Sequence, residues 1–65
     1  MLGMFKNELI GKRVRMIEMN DPQPIESGCE GTIHFVDDMG HYGVKWDNGR
    51  TLSIIPEEDK YEILE

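Results

Sequence analysis

The chain has 65 residues, of which 38% are hydrophobic and 31% are charged. A chain of this length forms one small domain with a thin core and has no room for a separate cofactor domain. Thirteen acidic residues against seven basic residues give a net charge of −6. This balance argues against a general nucleic-acid binder, which carries a basic patch and a high pI.

The charge is unevenly distributed along the chain. Residues 1–20 carry four bases and two acids, whereas residues 21–65 carry three bases and eleven acids. An acidic face keeps a small domain soluble, and it can also dock on the basic surface of another protein. The composition therefore favours a protein partner with a basic surface.

The cellular compartment is indicated by the cysteine content and by the absence of long apolar runs. Cys29 is the single cysteine, so no internal disulfide can form, which fits a reducing cytoplasm. No secretory signal is visible, and the longest apolar runs have two residues, far short of the roughly 20 that span a membrane. We expect a cytoplasmic domain without membrane contact. The role of Cys29 stays open.

The chain begins with a segment that has helical spacing and continues with a strand. Apolar residues between 2 and 10 recur at helical spacing, which predicts one short helical turn that ends at Gly11. Residues 12–19 (KRVRMIEM) alternate between charged and apolar residues and predict the first strand. The alternation breaks at Met16 and Ile17, which is typical of a β-bulge.

Loops and strands alternate through the middle of the chain. Residues 20–28 contain two prolines and a glycine and predict a loop. Residues 31–36 (GTIHFV) are rich in β-branched and aromatic side chains and predict the second strand. The next four residues, Asp37 to Gly40, predict a turn in which Gly40 adopts a positive φ.

The last third of the chain contains the strongest turn signal. Tyr42, Val44 and Trp46 share one face of a third strand. The Asn48-Gly49 pair that follows predicts a two-residue type I′ hairpin with a returning strand at 51–55. Pro56 ends that strand, and residues 61–64 form a short last one.

These elements predict an all-β domain with five short antiparallel strands. The chain is too short for the crossover helices that join parallel strands. A sheet of this size covers its own core and removes most of its edge by bending into a small barrel. We therefore expect residues 1–10 to form an N-terminal segment and residues 11–65 to form a single small barrel.

Three segments of the sequence carry a resemblance to a known family. GKRVRMIEMNDP (11–22), GCEGTIHFVDD (28–38) and VKWDNGRTLSIIPEED (44–59) resemble a family of small domains of unknown function from phages and Firmicutes mobile elements. That family is related to SH3-like barrels, so the resemblance implies a five-stranded SH3-like barrel and an accessory role. The chain departs from the family pattern at Cys29, at 26–27 and at 41–43.

No set of residues predicts catalysis, a cofactor or a metal site. Asp37 and Asp38 are adjacent and tend to point apart, so they do not converge on one bond as paired catalytic carboxylates do, even with His41 nearby. A Cys29 nucleophile would need an oriented base, for which His34 is the available residue. The spacing of Cys29, His34 and His41 matches no closed tetrahedral metal site. We expect a non-enzymatic protein with neither cofactor nor metal.

Aromatic and acidic residues give the best candidate for a partner-binding surface. In SH3-like barrels ligands often lie between the first long loop and the turn after the second strand, and this analogy groups residues from those two regions. Methionines, notably Met39, add adaptable apolar contacts. Trp46 fits either the core or a ligand platform. The candidate residues are Asp21, Phe35, Asp37, Asp38, His41, Tyr42 and Trp46.

Two alternative functions involve the arginines. Arg13, Arg15 and Arg50 could hold a nucleotide or another small molecule in pockets between the subunits of a homo-oligomer, because so small a barrel has no pocket of its own. Lys12, Arg13 and Arg15 could instead contact nucleic acid, with aromatic side chains stacking on bases, although the net charge opposes this.

Overall fold

The computed structural model describes residues 8–64. Its four strands are, in chain order, β1 (Arg13–Glu18), β2 (Glu30–Val36), β3 (Tyr42–Trp46) and β4 (Lys60–Ile63). They form one antiparallel sheet in the order β3-β2-β1-β4. The all-β prediction is confirmed. Within residues 8–64, no helix has the length and apolar character needed to cross a membrane.

The predicted N-terminal helical turn lies largely outside the described residues. Of residues 2–10, only positions 8 and 9 have helical backbone in the described part of the chain. Gly11 has a φ of 92° and its N–H donates to the Ile33 carbonyl at 2.7 Å. The positive φ of this glycine allows the backbone to turn and enter β1.

The predicted irregularity in β1 is present. Met16 pairs with Tyr61 of β4, whereas the next pair joins Glu18 to Lys60, so Ile17 is an extra residue at this point. Val14 and Met16 are buried, and Ile17 is 46% exposed. The bulge bends β1 between its two neighbours, which is the bend that a small, strongly curved sheet requires.

The predicted strand at 51–55 is reduced to two isolated bridges, so the described residues hold four strands and not five. Residues 51–54, here named the return segment, pair with β3 only at Lys45–Thr51 and Tyr42–Ile54. Between the bridges the Leu52 carbonyl accepts the indole N–H of Trp46 at 2.8 Å. The Trp46 side chain thus takes an acceptor that would otherwise serve a backbone N–H of β3, and the pairing between β3 and the return segment is interrupted at Leu52.

The hairpin after β3 has a three-residue loop where two residues were predicted. The N–H of Trp46 donates to the Arg50 carbonyl at 2.9 Å, and the N–H of Gly49 donates back to the Trp46 carbonyl at 2.9 Å. Gly49 has a φ of 94°. This arrangement is a tight turn followed by a left-handed glycine, the usual form of three-residue hairpin loops.

The core is formed by eight buried hydrophobic side chains beneath the sheet. They are Val14, Met16, Met19, Ile25, Ile33, Val44, Trp46 and Ile54. Ile25 comes from the long loop, which therefore covers the core although it contains no strand.

The carboxylate of Asp59 joins two segments at one edge of this core. Asp59 is 7% exposed, accepts the Asn20 N–H at 3.0 Å and accepts the Ile55 N–H at 2.9 Å. It thereby ties the loop after β1 to the segment that follows β3. Nothing in the residue pattern around Asp59 predicted this role.

Candidate recognition surface

A second β-bulge places an aromatic side chain on the outside of the sheet. Ile33 pairs with Val44, but the following pair joins Phe35 to Gly43, so the register shifts between Ile33 and Phe35. Strict alternation from the buried Ile33 would turn Phe35 inward. The bulge exposes His34 and Phe35 together, and their rings meet edge to face with centroids 4.8 Å apart. Phe35 is 44% exposed.

The turn after β2 holds its first carboxylate with its own backbone. Asp37 accepts the N–H groups of Met39 and His41, both at 2.9 Å. These bonds, with the His41 N–H contributing most, lower the pKa of Asp37 below its ordinary value of 3.8. The predicted turn is confirmed, and Gly40 has the expected positive φ of 86°. The turn therefore stabilises the ionised form of Asp37, which persists to lower pH than in an ordinary aspartate.

The turn between β2 and β3 combines exposed apolar groups with negative charge. Met39 is 77% exposed, the largest exposed fraction among the large hydrophobic residues of the described chain. Asp38 is exposed beside it, and His41 lies with its Nδ1 3.9 Å from an Asp37 oxygen. We name the set the hairpin patch, and its members are Phe35, Asp37, Asp38, Met39 and His41.

Two of the predicted aromatic contacts lie inside the domain. Trp46 is 3% exposed and belongs to the core. Tyr42 is half-buried, and its hydroxyl lies 3.3 Å from the hydroxyl of Tyr61. Burial, followed by this hydrogen bond, raises the pKa of Tyr61 to about 12. The structure therefore gives Trp46 a packing role and leaves Tyr42 at the inner border of the hairpin patch.

Asp21 has a local structural role in the long loop. Its carboxylate accepts the Gln23 N–H at 2.8 Å, which closes a short turn. The next residues are fixed by Arg50, which donates to the carbonyls of Gln23 at 2.8 Å and Pro24 at 3.0 Å. Arg50 thus anchors the loop beside the hairpin that follows β3, whereas the hairpin patch lies at the other end of β3.

The other two candidate arginines form a network of ion pairs on the outer face of the sheet. Arg13 contacts Asp47 at 2.6 Å and Glu30 at 3.4 Å, and Arg15 contacts Glu30 at 3.3 Å and Glu62 at 3.0 Å. The Arg13 guanidinium lowers the pKa of Asp47. We name these residues the arginine network: Arg13, Arg15, Glu30, Asp47 and Glu62.

The arginine network bears directly on the two alternative functions. Three carboxylates surround two guanidinium groups, so the outer face at this point offers no excess of positive charge for a phosphate. Binding of a nucleotide or nucleic acid through Arg13, Arg15 and Arg50 stays a prediction, and these contacts give it no support.

Groups with potential for metal or nucleophile chemistry do not converge. Within residues 8–64, no cluster of three or more His, Cys, Asp or Glu side chains is arranged to hold a metal ion. Cys29 is half-buried, and its sulfur lies 3.9 Å from the Glu30 carbonyl oxygen. Its position next to the core fits a small packing residue.

A shallow pocket beside Phe35 was not predicted from the sequence. It has a volume of about 370 Å³ and lies between the outer side of the hairpin and the return segment. It depends on the second bulge and on the interrupted pairing, and neither follows from the residue pattern. The lining residues are His34, Phe35, Gly43, Val44, Thr51, Leu52 and Ser53.

The comparisons with known proteins assign a family without a function. The family model DUF4314, described as a domain of unknown function, matches residues 3–64, so the chain belongs to that family. No curated protein and no solved structure matches the chain. The membership confirms the resemblance at the level of a domain of unknown function.

Proposed function

Because its family has no assigned function, this domain must be interpreted from its own surface, and we propose that it is a non-enzymatic binding module. The partner we propose is a host or phage protein with a basic surface, which the domain modulates or inhibits by occupying it. The observation that carries the proposal is the hairpin patch, where exposed apolar side chains and carboxylates lie on one tight turn.

The proposed fold of the complete domain is an SH3-like barrel. Two features support a closed shape in place of an open sheet. The return segment pairs with the free side of β3 through its two bridges. Asp59 then links this side of the molecule to the loop after β1 through Asn20 and Ile55. A barrel of this type presents its turns at defined ends, and the hairpin patch is one of these turns.

Apolar anchors supply the stability of the proposed complex. Met39 and Phe35 are exposed by 77% and 44%, and covering them removes apolar surface from water. A flexible thioether adapts to an irregular partner surface, and an aromatic ring supplies a large contact area. These two residues are therefore the hot spots we expect in the interface.

Carboxylates steer the association with the partner. Asp37 is ionised at neutral pH, the backbone N–H groups of its turn stabilise that charge, and the whole chain carries a charge of −6. Charge of this sign attracts a basic partner and raises the association rate, an effect that salt screens. We expect the association rate to fall as ionic strength rises, with a smaller change in the dissociation rate.

The origin we propose is a phage or a mobile element. It is supported by the resemblance of the three sequence segments 11–22, 28–38 and 44–59 to domains from such sources. Small accessory proteins of this kind act by binding, because a domain of this size has little room for a catalytic cleft.

Affinity capture with matched charge reversals tests the proposal. Tagged wild-type protein, Asp38→Lys and Glu58→Lys are immobilised, and proteins bound from a lysate of the source organism are quantified by mass spectrometry. Both replaced residues are exposed acids, so the two variants have the same net charge. We expect one salt-sensitive protein to be retained by wild type and by Glu58→Lys and to be lost with Asp38→Lys.

The result against the proposal is equally specific. Equal retention by both variants would show that the hairpin patch is not the binding surface. Tyr42→Ala is a poorer test than Asp38→Lys because Tyr42 packs against the core and bonds to Tyr61. Its loss would mix a change in folding with a change in binding.

A further inference from the structure

The backbone N–H of Val44 in β3 differs from the N–H groups of Tyr42 and Trp46, which bond to the segment that follows β3. Tyr42 donates its N–H to the Ile54 carbonyl at 3.0 Å, and Trp46 donates to the Arg50 carbonyl at 2.9 Å. Backbone groups alternate in direction along an antiparallel strand, so the N–H of Val44 faces the same side as those two. It is directed at the return segment, opposite Leu52.

Leu52 does not accept this N–H. Its carbonyl accepts the indole N–H of Trp46 instead, at 2.8 Å. Within residues 8–64 the Val44 N–H has no acceptor on this side of β3, although Val44 is only 1% exposed. A buried backbone N–H without a partner is rare in folded proteins, because it loses its bond to water and gains nothing in return. Such a group takes its acceptor from an ordered water or from a ligand.

Open space lies beside this donor. The pocket of about 370 Å³ includes Val44 in its wall, with the Phe35 ring on one side and the return segment on the other. Gly43 is required for this shape, because a Cβ at that position would collide with the Phe35 ring. Thr51 and Ser53 line the pocket and supply hydroxyl groups that both donate and accept.

We propose that this pocket binds a small neutral aromatic amide. The carbonyl oxygen of the ligand accepts the Val44 N–H, its ring packs against Phe35, and its amide N–H groups donate to the hydroxyls of Thr51 and Ser53. A neutral acceptor is preferred over a carboxylate because the chain carries a net charge of −6. The proposal goes beyond the protein-binding function, since it requires no partner protein.

Titration of ¹⁵N-labelled protein with benzamide tests the proposal by NMR. We expect a saturable downfield shift of the Val44 amide proton with a millimolar dissociation constant, as is usual for a ligand of about nine heavy atoms. Benzylamine has a similar ring without a carbonyl, and benzoate has an anionic acceptor. Both should shift this proton far less at equal concentration.

Two outcomes of the titration would overturn the proposal. An equal effect of benzylamine would mean that the pocket recognises a ring and not a carbonyl. No saturable shift with benzamide would mean that the Val44 N–H takes no ligand carbonyl and that water serves as its acceptor. Either result removes the amide site.

Variants locate the site independently. Ser53→Ala removes one hydroxyl of the pocket, and Ser27→Ala is the matched control in the exposed loop. We expect benzamide to bind at least threefold more weakly to Ser53→Ala and unchanged to Ser27→Ala. Gly43→Ala should abolish binding while the Trp46 fluorescence reports an intact fold. Unchanged binding to folded Gly43→Ala would contradict the proposal, and if that variant does not fold, Ser53→Ala decides.

Discussion

The two ends of β2 handle charge in opposite ways. Where the strand begins, Arg13 and Arg15 of the arginine network each pair with two carboxylates, and they share that of Glu30. Where it ends, Asp37 of the hairpin patch is held by backbone N–H groups of its own turn. A carboxylate that is satisfied by neutral donors keeps its net charge, whereas an ion pair cancels charge.

This contrast separates structural charge from charge that can act on a partner. The basic residues of β1 look like an anion site in the sequence, but neighbouring carboxylates pair with both arginines. The hairpin patch looks like an ordinary polar turn, but it combines the Asp37 carboxylate, held by backbone N–H groups, with two exposed apolar side chains. A surface feature is therefore better judged by its balance of charge than by the number of its charged residues.

The largest expected effect comes from removing the Asp59 carboxylate, which ties the loop after β1 to the segment after β3. Asp59→Ala leaves the N–H groups of Asn20 and Ile55 without their acceptor, at a cost of roughly 2–4 kcal/mol. A domain of this size has only about 3–5 kcal/mol of stability, so much of it is lost. Urea unfolding monitored by Trp46 fluorescence measures the change.

Asp59→Asn provides the internal control for that experiment. The amide keeps one acceptor oxygen and places a donor where the second oxygen was, so its stability should lie between wild type and Asp59→Ala. Equal urea midpoints for wild type and Asp59→Ala would show that the Asp59 hydrogen bonds to Asn20 and Ile55 are not needed for folding.

A smaller and salt-dependent effect is expected from the arginine network. Arg13→Met removes the contacts to Asp47 and Glu30 but keeps an apolar side chain of similar reach. Exposed ion pairs contribute little and are screened by salt, so the urea midpoint should fall slightly at low salt and match wild type at 1 M salt. Lys45→Met, which removes an exposed cation from β3, is the matched control. A difference in urea midpoint between Arg13→Met and wild type that persists at 1 M salt would mean that Arg13 stabilises the fold by packing and not by ion pairing.

The acid sensitivity of Asp37 gives a third, still smaller effect. Its folded-state pKa lies below the ordinary value of 3.8, so its contribution is complete above that pH and is lost as the pH falls through the folded-state value. Asp37→Asn should therefore flatten the dependence of stability on pH below about pH 4. Thermal unfolding between pH 2 and 7 measures this. An identical pH dependence in both proteins would mean that the carboxylate contributes no pH-dependent stability.

Local patterns in the sequence predicted the features that depend on neighbouring residues. The break in alternation at Met16 and Ile17 indicated the bulge in β1, and Asp37 to Gly40 indicated the turn, because both are determined by a few adjacent residues. The long loop was likewise predicted by its prolines. These signals need no knowledge of what lies across the sheet.

Features that depend on distant contacts were not predictable in this way. The indole of Trp46 takes the Leu52 carbonyl and interrupts the expected strand at 51–55. The contacts of Arg13 with Asp47 and of Asp59 with Asn20 join residues 34 and 39 positions apart. Such groups come together only through the folding of the whole chain. The ion pairs of Arg13 and the hydrogen bonds of Asp59 could therefore be found only from the structure.

The smallest effect on stability is expected in the hairpin patch itself. Met39→Ser replaces a side chain that is 77% exposed, so the free energy of unfolding should change by less than about 0.5 kcal/mol. Partner binding should nevertheless weaken, because the side chain is proposed as a hot spot. Urea unfolding and affinity capture on the same preparation separate the two quantities. A large loss of stability would place Met39 in the fold and not at a recognition surface.

The most direct measurement compares two pairs of exposed apolar residues for retention of the captured partner. Phe35→Ser/Met39→Ser removes the apolar part of the hairpin patch, and Ile17→Ser/Ile63→Ser removes side chains that are 46% and 39% exposed elsewhere. We expect the first double variant to lose the partner and the second to retain it, with both proteins folded. Retention of the partner by Phe35→Ser/Met39→Ser and its loss with Ile17→Ser/Ile63→Ser would contradict the assignment of the recognition surface to the hairpin patch.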